Sequence, residues 1–338
     1  MVQYRINNPN SINKEEIKKE LSEGKHVIVQ FSHAIYSDKD LADLDELCST
    51  NNENFEVRFY GNFSGSFSFD CNTLLKIPKV KYLSVNCLLR VENISALSEL
   101  KNLRKLNFGV YYLKELEILA YDNLKTLTYL CVGETSSKAF NLNYLKEYQN
   151  LKSLIIVGHS KNIEAVGEIM NLEVLSLNSI KNKATPFVNN LKKLKILKFI
   201  LGGRENIQEI EENRIENLEI TWVRGFNDIS NLSKFSGLKK LLIDRQKQLR
   251  SISIDKELPE LKYLEIVDCK TLTSLTGLEN LIDIEQLGIF GTQLKFDSII
   301  NQKLSPTLKT FDFYTRKVKA DKAIKLKLKE LGYKGYRD

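Results

Sequence analysis

A six-residue pattern, L-x-x-L-x-L with Ile, Val or Phe in place of some Leu residues, recurs eleven times along this chain at intervals of 21 to 24 residues. The repeats begin at Val80, Leu103, Leu127, Leu151, Leu172, Leu194, Ile215, Leu238, Leu261, Ile284 and Leu308. Each repeat predicts a short strand whose first, fourth and sixth side chains point inward. One such coil cannot bury its apolar face alone, so neighbouring coils must stack and share a core.

The second half of each repeat predicts a short turn that returns over the opposite side. Segments such as ISALSEL (94–100), LNYLKEY (142–148), ISNLSKF (229–235) and LTGLENL (275–281) place apolar residues at i, i+3 and i+6, which suits helical or 3₁₀ turns. The strands then form a parallel sheet at roughly 4.8 Å per coil. The predicted fold is an α/β solenoid with a parallel sheet on its concave face and short helical or 3₁₀ turns on its convex face.

This pattern resembles the leucine-rich repeat family, and within it the short-repeat bacterial members such as the internalins, over residues from about 55 to 315. The resemblance implies Asn or Cys at the ninth position of each repeat, where the side chain bonds to the backbone of neighbouring coils. In this chain only Cys269 fits well, with Thr135 and Thr292 as plausible substitutes. We therefore expect irregular loops after the strands.

The two ends of the solenoid need caps, which divide the chain into three predicted domains. Residues 1–54 form an N-terminal α/β cap, 55–315 the solenoid and 316–338 a basic C-terminal helix and tail. In the first cap, Asn13 and Glu16 predict a capping box for a helix reaching Leu21. A strand at 26–31 and a helical segment at 41–48 follow, and 55–60 alternates like another strand.

The final helix is expected at 320–331, with Ile324, Leu328 and Leu331 on one face and Gly332 as its stop signal. Its lysines explain where the net charge of +7 lies. Residues 316–338 hold nine Lys and Arg against three Asp and Glu, which is +6, so residues 1–315 contribute only +1. A capping helix with a solvated lysine face is the simplest interpretation, and we do not expect nucleic acid as a partner.

No motif for catalysis, phosphate binding or metal binding stands in the sequence. The five cysteines include no CxxC, which argues against a disulfide framework or a zinc site. The histidines His26, His33 and His159 are interpreted as structural. Glu219 and Glu265 occupy equivalent positions two coils apart, roughly 10 Å by strand spacing, and we interpret them as a solvated or partner-facing surface. We therefore expect no enzyme, no cofactor and no metal.

The third, fifth and seventh residues of each repeat point away from the core and form one long face. The middle coils bring Ile155, Val157, Val174, Ile196 and Ile200 together, tyrosines flank them, and the later coils add acids. This composition is typical of a protein interface. Trp222, the single tryptophan, lies just beyond a strand end, either as an exposed anchor or folded over its loop. The predicted partner-binding residues are Tyr82, Lys105, Tyr129, Ile155, Val174, Ile196, Lys198, Glu219, Trp222, Asp244, Arg245, Tyr263, Glu265, Phe290, Asp312 and Tyr314.

We predict a non-enzymatic protein that binds another protein and inhibits it by covering its functional surface. Its most concrete form is a bacterial immunity protein that neutralises a cognate toxin, with the acids Glu219, Asp244, Glu265 and Asp312 as mimics of an acidic substrate. A scaffold or adaptor, or a secreted effector that engages a host protein, remains open. The first residues lack a secretory signal pattern and no stretch resembles a membrane span. We expect a cytoplasmic monomer that uses neither membrane nor small-molecule substrate.

Overall fold

The computed structural model describes residues 2–32, 36–50, 53–61, 68–137, 139–181 and 183–335. The chain divides into two compact units, Met1–Leu172 and Glu173–Asp338. We call them the N-terminal unit and the C-terminal unit. The predicted histidine His33 lies outside the described residues, and the domain boundaries proposed at 54 and 315 stay predictions.

The strands of the N-terminal unit are β1 (Gln3–Asn7), β2 (His26–Phe31), β3 (Phe55–Tyr60), β4 (Ser68–Asp70), β5 (Tyr82–Leu88), β6 (Arg90–Glu92), β7 (Lys105–Val110), β8 (Tyr129–Val132) and β9 (Ser153–Val157). Its main sheet runs in the order β1-β2-β3-β5-β7-β8-β9, and β4 pairs with β6 separately. The helices are α1 (Lys14–Ser22) and α2 (Asp38–Cys48), and 3₁₀ turns span Cys71–Lys76, Ile94–Glu99, Ile118–Ala120, Asp122–Thr126, Leu142–Glu147 and Ile163–Glu168.

The strands of the C-terminal unit are β10 (Val174–Asn178), β11 (Ile196–Ile200), β12 (Asn217–Thr221), β13 (Lys240–Asp244), β14 (Ser251–Ser253), β15 (Tyr263–Val267), β16 (Ser274–Thr276), β17 (Gln286–Phe290) and β18 (Thr310–Tyr314). Its main sheet runs β10-β11-β12-β13-β15-β17-β18, with β14 and β16 paired on their own. The helices are α3 (Phe296–Ile300) and α4 (Val318–Glu330), and 3₁₀ turns span Pro186–Asn190, Leu232–Lys234 and Leu278–Asn280.

The repeat pattern places its apolar residues where the sequence predicts. In the repeat that begins at Leu261, the first, fourth and sixth residues are at most 1% exposed. The paired strands are parallel and in register from coil to coil. The four return segments singled out in the sequence form 3₁₀ turns. The predicted solenoid of parallel strands and short turns is confirmed.

Side chains at the ninth position of the repeat connect neighbouring coils in more repeats than the sequence suggests. Gln246 is fully buried, and its Nε2 donates to Ile220 O at 2.9 Å and to Asp244 O at 2.7 Å. Cys269 makes the same pair of contacts with Ile243 O and Val267 O. The Nε2 of buried His159 lies 2.9 Å from Gly133 O. The expectation that only Cys269 fits was therefore wrong, because Gln and His also reach these carbonyls.

The eighth position, at the end of each strand, has a left-handed backbone. In the C-terminal unit its φ lies between 52° and 64° at Ser179, Leu201, Trp222, Arg245, Asp268 and Gly291. Each of these N–H groups donates to the seventh-position carbonyl of the next coil at 2.7 to 2.9 Å. The turns after the strands therefore repeat regularly in this unit, in contrast to the predicted irregular loops.

A buried ion pair fills the connection between β11 and β12. The Arg204 guanidinium lies over the Phe199 ring at 4.1 Å and donates to the Glu209 carboxylate. Glu209 also accepts from the Thr185 N–H at 2.9 Å and its hydroxyl at 3.0 Å. Burial alone would raise the pKa of Glu209, but Arg204 and Thr185 outweigh it and hold that pKa below its ordinary value. The pair thus orders a connection without a 3₁₀ turn of its own.

The ends of the chain show one confirmed cap and two corrections. Asn13 caps α1 by accepting from the Glu16 N–H at 3.2 Å, whereas the Glu16 carboxylate accepts from the Tyr4 hydroxyl on the unpredicted strand β1. In α4, Leu328 is 4% exposed and Gly332 ends the helix with a φ of 87°. Leu331, predicted on the buried face, is 46% exposed, because the helix already ends at Glu330.

We expect Gln246→Leu to lower the free energy of unfolding by about 1 to 3 kcal/mol. The substitution keeps the volume but removes the two hydrogen bonds that the buried Gln246 side chain donates to the Ile220 and Asp244 carbonyls, and each such bond contributes about 0.5–1.5 kcal/mol. Gln248→Leu, at an exposed position two residues away, should change stability by no more than about 0.5 kcal/mol. Urea denaturation followed by circular dichroism measures both variants, and equal stabilities would show that the ninth position does not hold the coils together.

Candidate protein-binding surface

The strand register of the C-terminal unit lines up the residues that point away from its core. The third-position row is Val174, Ile196, Asn217, Lys240, Tyr263, Gln286 and Thr310. The fifth-position row is Ser176, Lys198, Glu219, Leu242, Glu265, Gly288 and Asp312, and the seventh-position row is Asn178, Ile200, Thr221, Asp244, Val267, Phe290 and Tyr314. We call these three rows together the outward sheet face.

Most of the predicted binding residues of this unit reach solvent on the outward sheet face. Tyr263 and Tyr314 are each 36% exposed. Val174, Ile196, Lys198, Glu219, Asp244, Glu265 and Phe290 are half-buried. Asp312 is the exception, since it is only 7% exposed on the last strand of the sheet, beside α4. The prediction that Asp312 offers an accessible acid to a partner is wrong because the capping helix and its flanking segment pack there.

The predicted pair of carboxylates stands in register but in two different environments. Leu242 lies between Glu219 and Glu265 in the fifth-position row. The Lys198 Nζ lies 2.8 Å from Glu219, which also accepts from the Thr221 hydroxyl at 3.2 Å. Glu265 makes neither an ion pair nor a hydrogen bond with any residue that the structure describes. Glu265 is therefore the more available acceptor of the two.

Aromatic groups mark the seventh-position row and its edge. Phe290 and Tyr314 stack with ring centroids 5.7 Å apart and planes 15° apart. Trp222 stands at the left-handed eighth position, 48% exposed, and the Arg245 guanidinium lies 5.3 Å from its ring centroid. Of the two alternatives for Trp222, the structure shows the half-exposed one. A guanidinium over an indole is the stronger kind of cation–π contact, so the ring has a defined orientation.

Charges surround Trp222 on the side of the later coils. The Arg245 Nη1 lies 3.0 Å from Asp244, its Nε lies 3.9 Å from Asp268, and Arg316 pairs with Asp268 as well. The buried Oδ1 of Asp244 has no hydrogen-bond partner among the described residues. Burial raises the pKa of Asp244, Arg245 opposes this effect, and the nearby Asp268 and Glu219 carboxylates raise it further, so the net shift is upward.

The tenth position forms a row of positive charge that the linear charge count did not reveal. Backbone bridges align Lys181 with Gly203 and Gly203 with Arg224. Five of the seven tenth positions in this unit hold exposed cations, the exceptions being Gly203 and Gln293. We call these five residues the basic row: Lys181, Arg224, Lys247, Lys270 and Lys317. None of the five makes an ion pair with a described residue. The row is hidden in the sequence because its members are 20 or more residues apart.

The second position of the repeat, before each strand, shows the opposite arrangement. Lys195 pairs with Glu173 at 3.5 Å, Lys239 with Glu216 at 3.1 Å and Lys262 with Glu285 at 2.7 Å. These cross-strand pairs neutralise the second-position row. Positive charge in the C-terminal unit is thus balanced where the strands begin and unbalanced beyond the strand ends.

In the N-terminal unit, the predicted residues Tyr82, Lys105 and Tyr129 come together. The Lys105 Nζ lies 5.7 Å from the Tyr82 ring centroid, and the Tyr82 and Tyr129 rings are 5.9 Å apart. His26 stacks on Tyr82 at 5.3 Å, and its Nε2 lies 2.9 Å from the buried Glu56 carboxylate. These residues line a shallow cleft of about 500 Å³. Burial raises the pKa of both tyrosines.

The remaining predicted residue, Ile155, is half-buried on β9 in the N-terminal unit, as is Val157. Across the described residues no group of three or more His, Cys, Asp or Glu side chains could hold a metal ion. The helices described here are all too short or too polar to cross a membrane.

We expect Asp244→Asn to raise the free energy of unfolding at neutral pH. Because the folded state raises the pKa of Asp244, protonation favours folding, and the ionised group costs stability above that pKa. The gain should shrink as the pH falls through the raised pKa, where the wild-type group is already neutral. Urea denaturation at neutral and acidic pH measures the effect, with Asp283→Asn at an exposed position as the control. A loss of stability at neutral pH would contradict the assignment.

Comparisons with known proteins complete the description. No family model matches this chain. The disease resistance protein RPS4B of Arabidopsis thaliana is 27% identical over 213 residues, which cover 60% of this chain and 17% of that protein. The chain thus spans only a small part of that relative's length.

Solved structures with related folds share little sequence with the chain. Internalin C2 of Listeria monocytogenes is 19% identical with a TM-score of 0.35, covering 67% of this chain and 84% of that chain. TLR13 in its complex with ssRNA13 is 15% identical with a TM-score of 0.47, covering 93% of this chain and 54% of that chain. On its repeat spacing, its parallel strands and its buried leucine positions, the fold of this chain is that of a leucine-rich repeat protein.

Proposed function

We propose that this chain is a non-enzymatic protein-binding module and that the outward sheet face of the C-terminal unit, with Trp222 at its edge, contacts the partner. The observation on which this rests is the arrangement of Tyr263, the Phe290–Tyr314 stack and the Trp222–Arg245 pair around acids at one surface. Trp, Tyr and Arg are the residues that most often dominate the energy of protein interfaces.

The rigidity of these side chains supports the same function. Trp222 is fixed at its backbone by the N–H bond to Asp244 O at 2.9 Å and at its ring by Arg245. Phe290 and Tyr314 restrain one another by stacking. Side chains that are already ordered lose little conformational freedom on binding, and each ordering step avoided is worth about 0.5–1.5 kcal/mol. The surface is thus organised before a partner arrives.

The finer proposal is inhibition by occlusion. The main-sheet strands of the C-terminal unit present a face about 30 Å long at the usual strand spacing, which is long enough to cover a partner's functional surface with distributed contacts. The concrete form that we propose is a cytoplasmic bacterial immunity protein that neutralises a toxin. Glu265, which makes neither an ion pair nor a hydrogen bond with a described residue, is the acid best suited to imitate an acidic substrate, whereas Asp244 has one oxygen buried and the other paired with Arg245.

We expect the triple variant Tyr263→Ala, Glu265→Ala, Phe290→Ala to lose a stoichiometric partner that the wild-type chain captures from lysate of its native host. Removal of two interface aromatics at about 1 to 2 kcal/mol each should weaken binding roughly a hundredfold. Captured proteins are identified by mass spectrometry, and the affinity of the recombinant partner is then measured by calorimetry. The activity of that partner, with and without the chain, tests the inhibitor proposal.

The matched control is Tyr111→Ala, Tyr112→Ala, Glu115→Ala, which likewise removes two aromatic residues and one Glu, from exposed positions in the N-terminal unit. Circular dichroism must show both variants folded. If the control loses the partner and the first variant keeps it, the interface lies in the N-terminal unit and the proposal fails. Two different partners bound at once would instead support a scaffold or adaptor, and recovery of a tagged chain outside the producing cells would favour a secreted effector.

A further inference from the structure

We propose that the basic row of the C-terminal unit binds an acidic segment of the partner protein, with Trp222 and Leu201 supplying the apolar contacts. This inference rests on the proposed function, and it adds a second surface and the chemistry of what binds there. The basic row runs along the strand ends and is distinct from the outward sheet face, whose acids have the opposite charge.

The spacing of the coils brings the residues of the basic row that belong to neighbouring repeats close to one another. Successive coils of a parallel sheet are about 4.8 Å apart, so Lys247 and Lys270, which occupy the tenth position of neighbouring repeats, present charges at that interval. An extended acidic segment that crosses the coils can meet Arg224, Lys247 and Lys270 in succession, with Gly203 and Gln293 separating these three from Lys181 and Lys317. The described bridges from Lys181 to Gly203 and from Gly203 to Arg224 fix this alignment at the start of the row.

Electrostatics favours an anionic occupant. Exposed like charges in neighbouring coils repel one another within the Debye length of about 10 Å at 0.1 M salt. At the second position the cations Lys195, Lys239 and Lys262 each have a carboxylate partner in a neighbouring coil. At the tenth position the cations Arg224, Lys247 and Lys270 find no such neighbour among the described residues. An acidic partner segment would remove the repulsion and supply the missing counter-charges.

Apolar side chains stand beside the basic row at the eighth position. Leu201 is 45% exposed and Trp222 is 48% exposed, in neighbouring repeats. Both occupy left-handed backbone, which costs a residue with a Cβ roughly 1–2 kcal/mol. Large exposed side chains at such positions are not required by the turn, because Gly291 makes the same turn in a later coil. Their contribution is a contact surface at one end of the row.

The nature of these apolar groups favours a protein segment over a single-stranded nucleic acid. Proteins that bind single strands stack successive bases on several aromatic rings. Trp222 is the chain's single tryptophan, and its neighbour Leu201 is aliphatic. An acidic peptide with an apolar side chain uses both contacts, whereas successive bases would find one ring.

The test uses a fluorescein-labelled polyglutamate peptide with one central phenylalanine, added to the full chain. We expect salt-dependent binding by fluorescence anisotropy and a matching change in the emission of Trp222, the chain's single tryptophan, which stands beside the basic row. The variant Arg224→Glu, Lys247→Glu, Lys270→Glu should weaken binding about tenfold or more. Trp222→Phe should weaken it less and should abolish the tryptophan signal.

A charge-matched control distinguishes binding at the basic row from attraction to the net charge of the whole protein. Lys319→Glu, Lys322→Glu, Lys329→Glu changes the net charge equally at exposed positions of α4 and should leave the affinity within about twofold. Equal weakening by both triple variants would overturn the inference, since the attraction would then belong to the whole protein. Tighter, row-dependent binding of an oligothymidylate of equal charge would overturn it in favour of nucleic acid.

Failure of the peptide-binding test can be distinguished from failure of the proposed function. If the captured partner depends on Tyr263 and Phe290 but the polyglutamate peptide leaves Trp222 emission unchanged, the outward sheet face binds protein and the basic row does not. If the peptide binds through the basic row and the captured partner is also lost from the basic-row variant, both surfaces act on one protein, as we propose.

Discussion

The hydrogen bond from the eighth residue of one coil to the seventh-residue carbonyl of the next is the constraint on which the C-terminal unit depends. It ends each strand at the same point, and it does so with backbone that costs a non-glycine residue roughly 1–2 kcal/mol. Six such bonds of 2.7 to 2.9 Å, from Ser179 through Gly291, offset that cost by satisfying groups that would otherwise be unpaired. Because the six coils before the last one turn at the same residue, their outward rows are in register.

Side-chain hydrogen bonds add to these backbone hydrogen bonds between coils. The Asp244 and Val267 carbonyls, which already accept from backbone N–H groups of the preceding coil, also accept from the Gln246 and Cys269 side chains. The same two side chains reach the Ile220 and Ile243 carbonyls, 26 residues back along the chain. Where the ninth residue is Gly202, the half-buried Arg204–Glu209 pair orders the connection, and the Arg204 Nε donates to Asn206 O at 2.8 Å. An amide and a thiol thus make the same pair of backbone contacts at the ninth position, so one residue type is not required there.

The repeat period and the buried leucines could be predicted because both follow from local apolar spacing, and the outward direction of Tyr263, Glu265 and Phe290 follows from strand alternation. Three features depended on neighbours that spacing cannot supply. Asp312 is buried because α4 and the segment after it pack beside it. Leu331 is exposed because α4 ends one residue earlier. The left-handed turns arise from bonds between coils, so residues as unlike as Trp222 and Asp268 adopt them.

The second-position row and the tenth-position basic row differ in charge, although the fold requires no such difference. The second and tenth positions are both solvent-facing, and the same stacking of coils brings both into register. The second position holds residues of both signs, and three of its lysines pair with a neighbouring Glu, as Lys262 does with Glu285 at 2.7 Å. At the tenth position the charged residues all have one sign. A stacked sheet gains nothing from a row of like charges and loses some stability to repulsion. The positive sign of the basic row is thus a property that folding does not explain, and together with its place beside the exposed Trp222 it is the reason why we propose that this row binds a partner.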